Sequence, residues 1–445
     1  MMNTSYLGNS GRIVYVGLDS YIYTVTADGT GRSQLTWSWQ EEGNRIGKDF
    51  VQTESRGRRL TFTCPTWSPG GKIACVGYPI EGASLGERAG IYVIDPAAAE
   101  IRKIYETTAG ETPFYMMWAP DNEKLAFLAQ KTTLHLNLGW DPSPPSSSIP
   151  FRGKGGEREG AVRSLITGAP CFFAISPDAG HLLVHVGGSY RYSLLSRLTL
   201  FDLREVAAEG PHPYKDISLV PASFCAPSWS YDGHYISYAA QGSEGADAIY
   251  ISDREDKDKQ VVTSLRGKSA FLWAPDSLKL AFSAAHTEDP SSLYEGLSIF
   301  DVARGTSFRL LEDDLVAFFW SPRGDQIIYI LYNPVEECFE WSSVDLLKHE
   351  QVQVASFVPS EEMLLLFSFF DQYAGSHPLI SPDGQYLVYA GYEDWEHRMN
   401  GAAAPRIFVA PLHRDMRPYP VAEGRFASWS LSKGERDKME SERGM

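Results

Sequence analysis

Trp320-Ser321-Pro322-Arg323-Gly324 is the stretch on which the fold turns, because near copies of it recur along the chain. They begin at Trp67 (WSPGG), Trp118 (WAPDN), Ile175 (ISPDA), Trp229 (WSYDG), Trp273 (WAPDS) and Ile380 (ISPDG), with a bare Trp429-Ser430 near the end. Successive copies lie 44 to 60 residues apart. A module of about this length is the signature of a propeller or solenoid rather than of one continuous core. Proline presets φ for the first corner of a turn, Asp accepts backbone hydrogen bonds locally, and Gly tolerates positive φ. The Trp before the turn reads as core, wedged between neighbouring sheets where its ring buries a large apolar area.

Each turn has the same sequel. An alternating apolar run follows (Leu280-Ala281-Phe282, Leu387-Val388-Tyr389), then a polar loop, then a second run ending near an acid (Leu297-Ser298-Ile299-Phe300-Asp301), then a third short run. Period-2 runs of β-branched and aromatic residues between Gly, Pro, Asp and Ser read as antiparallel strands joined by tight turns. With the strand leading into the Trp, each module has four.

This pattern resembles the WD40-like PD40 repeats of the TolB family and of the propellers attached to prolyl oligopeptidase-type enzymes. The resemblance covers residues 11 to 430. It implies an all-β, eight-bladed β-propeller of four-stranded antiparallel blades, and it carries no activity, since one fold hosts many functions. The α/β-hydrolase domain that the peptidases add has no room in 445 residues, so their serine chemistry is not expected. Nor is a Tol-system role, because TolB is periplasmic and has a further N-terminal domain.

Residues 12 to 36 hold three strands (Ile13-Val14-Tyr15, Ile22-Tyr23-Thr24-Val25, Ser33-Gln34-Leu35-Thr36) but no innermost strand, whereas Phe426-Ala427-Ser428-Trp429 supplies one with nothing after it. Joining them gives a last blade from 11–36 plus 421–430, so the expected organisation is a single propeller domain over 1–430 closed by both termini. Residues 431–445, charged and poor in apolar side chains, read as a disordered tail.

The formal net charge of -16 disfavours nucleic acid and anionic membrane as partners. Five cysteines without a C-x-x-C spacing, mostly within apolar runs, look like reduced core residues. With no basic leader and no stretch of about 18 apolar residues, a soluble cytoplasmic protein is the expectation.

Sites of known chemistry are sparse. Gly82-Ala83-Ser84-Leu85-Gly86 matches a nucleophile elbow, but that motif works on a strand-turn-helix and here lies between two strands. No H-E-x-x-H, P-loop or EF-hand occurs. Some PD40 propellers are oligogalacturonate lyases that hold a divalent metal through clustered histidines; the ten histidines here are scattered, so neither a metal nor another cofactor is expected.

If the first strand of each module is innermost, the inner strands line a central channel and the long inserts at 37–59, 77–90, 285–296, 359–372 and 392–405 gather on one face, the top. The insert 140–163 leaves the opposite face as a flexible excursion. Tyr115, Phe172 and Phe318 sit on inner strands, either as walls of the channel or as core between blades. Phe369-Phe370-Asp371-Gln372-Tyr373-Ala374-Gly375-Ser376-His377 interrupts the approach to the seventh module and, with Arg425, crowds polar groups at the same opening. Apolar walls with a few convergent polar groups are the usual anatomy of a small-molecule site; a capping loop that satisfies its own backbone is the alternative.

Three functions follow from these residues. The leading one is binding of a small, largely apolar ligand or a peptide at the top of the channel by Tyr115, Phe172, Phe318, Phe370, Gln372, Tyr373 and Arg425. The second is a non-hydrolytic enzyme, a lyase, isomerase or cyclase, with Asp371 and His377 as general acid or base. The third is a protein-interaction scaffold, which predicts a plugged channel where the first two predict a deep cavity.

Overall fold

The computed structural model describes residues 11–37, 60–79, 88–108, 111–129, 132–138, 162–187, 196–206, 214–218, 220–222, 225–242, 245–284, 292–399, 403–412 and 416–431, with the backbone of 51–52. The elbow-like Gly82–Gly86, the insert from 140 to 161 and the tail beyond 431 lie outside the described residues.

Successive modules form antiparallel meanders. The first runs Leu60–Trp67, Ile73–Pro79, Gly90–Asp95, Glu100–Glu106; the second Tyr115–Trp118, Leu125–Ala129, Thr133–Asn137, Val162–Thr167. The third runs Cys171–Ile175, His181–Val186, Arg197–Asp202, Tyr214–Ser218, and the fourth Ser228–Trp229, Tyr235–Gln241, Asp247–Asp253, Gln260–Ser264. Each pairs in sequence order. Burial falls from the middle strands outward: all of Leu125–Ala129 is buried, whereas Gln260–Ser264 is largely open. Middle strands are covered on both faces by neighbouring sheets, so they tolerate continuous apolar runs, and outer strands keep the alternation.

From residue 269 to 423 the ladder is continuous across ten strands, because the outer strand of one module runs into the inner strand of the next. Thr306–Trp320 does this most plainly. Its first half pairs with Tyr294–Asp301 and its second with Gln326–Asn333. Gln351–Pro359 likewise pairs with Cys338–Asp345 and, through Val358 and Pro359, with Tyr386–Tyr392. Phe426–Trp429 adds beside Ile13–Val16 in a sheet with Ile22–Val25 and Ser33–Gln34, pairing Ile13 with Trp429 and Val16 with Phe426. Within the 37–59 insert, Val51–Gln52 pairs in parallel with Glu100 and Ile101 at the outer edge of the first module.

The repeated turn works through its Ser as much as through its Asp. Ser321 Oγ donates to Asp325 and accepts the Gln326 N–H at 3.1 Å, and Gly324 sits at φ 71°. A Cβ there would meet Pro275 of the preceding turn only at ordinary contact distance, 3.4 Å, so it is the backbone conformation that calls for glycine. Three of the repeat Trp residues tie modules together in order. Trp229 Nε1 donates to the Ala174 carbonyl at 3.2 Å, Trp273 Nε1 to Ser237 Oγ at 2.9 Å, and Trp320 Nε1 to the Leu272 carbonyl at 2.9 Å. Each ring is buried and its one donor is satisfied on the module before it.

Residues 359–377, expected as an insert that interrupts the approach to the seventh module, are largely helical. Glu361–Ser368 forms helix α1 and Phe370–Tyr373 a single further turn, α2. Ser360 caps α1, accepting the Met363 N–H, and Glu361 and Glu362 occupy its first turn, where carboxylates suit the helix dipole. The inner strand of the seventh module is correspondingly reduced to one bridge, Ile380 with Leu387.

Candidate functional site

The two helices sit between the inner strands, and their side chains reach modules all around. Gln372 is buried and binds Phe173 of the third module twice: Oε1 accepts its N–H at 2.9 Å and Nε2 donates to its carbonyl at 2.8 Å. Tyr115 of the second module donates its hydroxyl to the Gln372 carbonyl at 2.8 Å. Thr66 of the first donates to the Ser376 carbonyl at 2.8 Å. The Ala226 N–H, ahead of the fourth, donates to Asp371 Oδ2 at 2.7 Å. Ser360 donates to the Arg425 carbonyl beside the closing strand.

The second module adds a ring contact, Tyr115 edge-on to Tyr373 at 5.0 Å, and the fifth and sixth contribute rings alone. Phe370 is fully buried and lies 4.9 Å from Phe318, 5.6 Å from Tyr294 and 5.7 Å from Phe319, all near edge-to-face. Phe367 of α1 meets Trp341 at 5.6 Å and Phe357 at 6.2 Å in the same manner. Such geometry adds to the area each ring buries.

The sequence-predicted residues therefore divide. Phe370, Gln372 and Tyr373 belong to the helical segment 360–377, and Tyr115 and Phe318 are inner-strand groups that contact it. Phe172 turns away to His185 in its own sheet, with ring centroids 6.0 Å apart. Asp371 and His377 are not brought together: Asp371 faces Ala226, while the His377 ring lies edge-on to Phe426 of the closing strand at 5.5 Å and 5.1 Å from Tyr373. Arg425 stands at the N-terminus of α1, 3.4 Å from Glu362 and hydrogen-bonded to Ser20 Oγ at 3.0 Å. Thr66, Ser360, Phe367 and Ser376 join the cluster unforeseen. The capping serine with two acids behind it was the signal available for the helix.

Electrostatics follow burial. Burial pushes Asp371 up to about 6 against the pull of the Ala226 and Gln372 N–H groups and of Lys268. Burial depresses His377 to about 3 and His185 to about 4, so both imidazoles are neutral. His377 Nδ1 lies 2.7 Å from Ser376 Oγ, and its buried Nε2 has no hydrogen-bond partner among the described residues. A neutral imidazole enclosed by Tyr373 and Phe426 is a packing group first. Among the described residues no three His, Cys, Asp or Glu side chains are grouped to hold a metal ion, and no helix is long and apolar enough to cross a membrane. A cavity of about 280 Å³ lies away from the centre, between the outer strands of the second and third modules, lined by Ile166, Arg197, Phe201 and Tyr214.

Among solved structures the chain shares its fold with a prolyl endopeptidase studied for inter-domain dynamics in catalysis and specificity, at 12% identity and a TM-score of 0.52 over 84% of this chain and 51% of that one. It therefore spans about half that enzyme's length. An oligogalacturonate lyase in complex with manganese is similar at 14% identity, TM-score 0.48, over 82% and 84% of the two chains. TolB from Acinetobacter baumannii is similar at 15% identity, TM-score 0.36, over 78% and 63%. No family model matches the chain, and neither does the sequence of any curated protein. The fold is a β-propeller, the architecture to which the Trp-Ser-Pro-Asp-Gly repeats pointed.

Proposed function

We propose that the chain is a protein-interaction scaffold: a single propeller domain of eight blades, closed by pairing strands from both termini, whose channel is occupied by its own helices. The observation that carries this is the segment 360–377, bonded or stacked onto inner strands of modules on every side. An apolar ligand at the channel mouth would have to displace Phe370 and leave both Phe173 backbone groups unsatisfied, at about 1 to 3 kcal/mol per group. A scaffold needs no such opening. Its contacts fall on the connections of the top face, where propeller loops are free to vary. The five cysteines are all free, which suits the reducing cytoplasm.

The ligand-binding reading keeps one observation on its side: a buried carboxyl raised to about 6, bonded by the Ala226 N–H, is what a binding or acid-base site uses. Amide hydrogen exchange on the whole chain separates the two. The scaffold reading expects amides of 369–377 to exchange as slowly as those of the inner strands Leu315–Trp320 and Phe426–Trp429. Fast exchange confined to 360–377, slowed by an apolar compound, would mark the helices as a lid over a ligand site and end the scaffold reading.

A further inference from the structure

The outer face of α1 does nothing for the fold. Met363, Leu366 and Phe367 point into the core, while Leu364 and Leu365 stand 40% and 53% exposed at the centre of the top face. The helix is pinned beneath them by its own capping and by the rings under Phe367, so the two leucines are held out on a rigid support. Single exposed leucines are ordinary; an adjacent pair on a fixed helix is a small apolar platform.

The surroundings of that platform are acidic. Three stretches on the same side carry eight carboxylates (three, two and three): 312–314 within Thr306–Trp320, 336–337 between the second and third strands of the sixth module, and 393–396 after Tyr386–Tyr392; the last runs on into His397 and Arg398, whose guanidinium lies 4.7 Å over the Trp395 ring. Glu312 and Glu393 are taken up by Arg309 and Arg406. Glu337 accepts from the Trp395 indole and Asp394 bonds His397. Asp313, Asp314, Glu336 and Glu396 are exposed and meet no basic side chain among the described residues. Glu361, at the start of α1, adds a further exposed carboxylate.

We propose that this face docks a basic segment of a partner protein that seats an apolar side chain on Leu364 and Leu365. Charge complementarity selects the occupant. A second copy of the chain would bring like charge against like, whereas a Lys- or Arg-rich amphipathic segment satisfies the rim and covers the leucines. The inference deepens the scaffold reading and rests on it, since it needs α1 to stay in place.

The test uses the purified full chain and three synthetic 14-residue helical peptides, of Lys and Leu, of Lys and Ser, and of Glu and Leu, titrated by calorimetry. The Lys–Leu peptide is expected to bind, at least 10-fold more tightly than Lys–Ser, with no measurable binding of Glu–Leu. Raising salt from 50 to 300 mM should weaken it several-fold. Leu364→Ser with Leu365→Ser should cost at least 10-fold in affinity with an unchanged melting temperature, and Asp313→Asn, Asp314→Asn, Glu336→Gln and Glu396→Gln together should flatten the salt dependence. Equal binding to the leucine variant, or preference for the Glu–Leu peptide, overturns the site. A concentration-dependent dimer that the leucine variant abolishes overturns it in favour of self-association. Slow exchange at 369–377 alongside either result leaves the scaffold reading standing without this partner; fast exchange removes both.

Discussion

The two sides of the helical plug are built differently. Toward the first four modules it is held chiefly by hydrogen bonds, Gln372 to Phe173, Asp371 to Ala226, and Tyr115 and Thr66 to the plug's carbonyls, with one ring contact, Tyr373 edge-on to Tyr115 at 5.0 Å. Toward the fifth and sixth it is held by rings, Phe370 among Tyr294, Phe318 and Phe319, and Phe367 between Trp341 and Phe357. Apolar contact is strong but undirected, since a ring slid by a fraction of an ångström still buries its area. Buried hydrogen bonds add little net energy but penalise every wrong position. The aromatic side therefore supplies stability and the polar side supplies position.

That division orders the expected losses. Phe370→Ala removes a fully buried ring from three neighbours and should cost about 3 to 5 kcal/mol in urea unfolding of the whole chain. A loss below about 1 kcal/mol would mean that the surrounding rings collapse into the space and that the aromatic side is not the stabilising one.

The acid limb of stability tests the polar side. Neutral His377 and His185, near 3 and 4 in the folded protein, titrate at about 6.5 when unfolded, so the unfolded chain takes up protons first. Their contribution is full above pH 6.5 and is lost as pH falls toward the folded values, at up to about 1.4 kcal/mol per pH unit for each histidine. Asp371 opposes them. Its folded value is raised from 3.8 to about 6, so between those limits the native state binds the proton first and gains stability on acidification. Asp371→Asn should then steepen the loss between pH 6 and 4, read from urea midpoints across pH; an unaltered slope would show that Asp371 is solvated in the folded state.

Gln372→Ala leaves one buried N–H and one buried carbonyl of Phe173 without partners and should cost about 1 to 3 kcal/mol. Its more telling effect is positional: exchange at 369–373 should quicken relative to the inner strands, whereas Phe370→Ala should loosen the whole ring. Equal quickening everywhere in both variants would erase the difference between the two sides.

Sequence reading reached the sheets better than the plug, for a physical reason. The Ser-Pro-Asp-Gly turns and period-2 runs are local chemistry that repeats, so each copy supports the others. The helix at 361–368 occurs once, and its run Met363-Leu364-Leu365-Leu366-Phe367 is apolar throughout, which suits a buried strand as well as a helix of barely two turns. Ser360 followed by two glutamates was the sole local sign. What Asp371, Gln372 and His377 do depends on blades some 100 to 200 residues distant or, for His377, on a strand close to the C-terminus, and side-chain type alone does not reveal which backbone groups lie opposite. Polar residues crowded at a channel suggested chemistry; in place, Gln372 and Asp371 hydrogen-bond the backbone of Phe173 and Ala226.

The smallest effect belongs to the pair that joins plug and closing strand at the surface. Arg425 and Glu362 approach to 3.4 Å with about a third of each side chain exposed. An ion pair so placed gains modest Coulomb energy and loses rotamer freedom, leaving under about 1 kcal/mol. Glu362→Gln should therefore shift the urea midpoint barely, and less still at high salt. Arg425→Ala should cost more than Glu362→Gln, because the guanidinium also donates to Ser20 Oγ across the closing blade. A double variant that loses the sum of the two single losses would show no coupling between Glu362 and Arg425, and would place the Arg425 effect in the Ser20 contact between C-terminal and N-terminal strands rather than in the seating of α1.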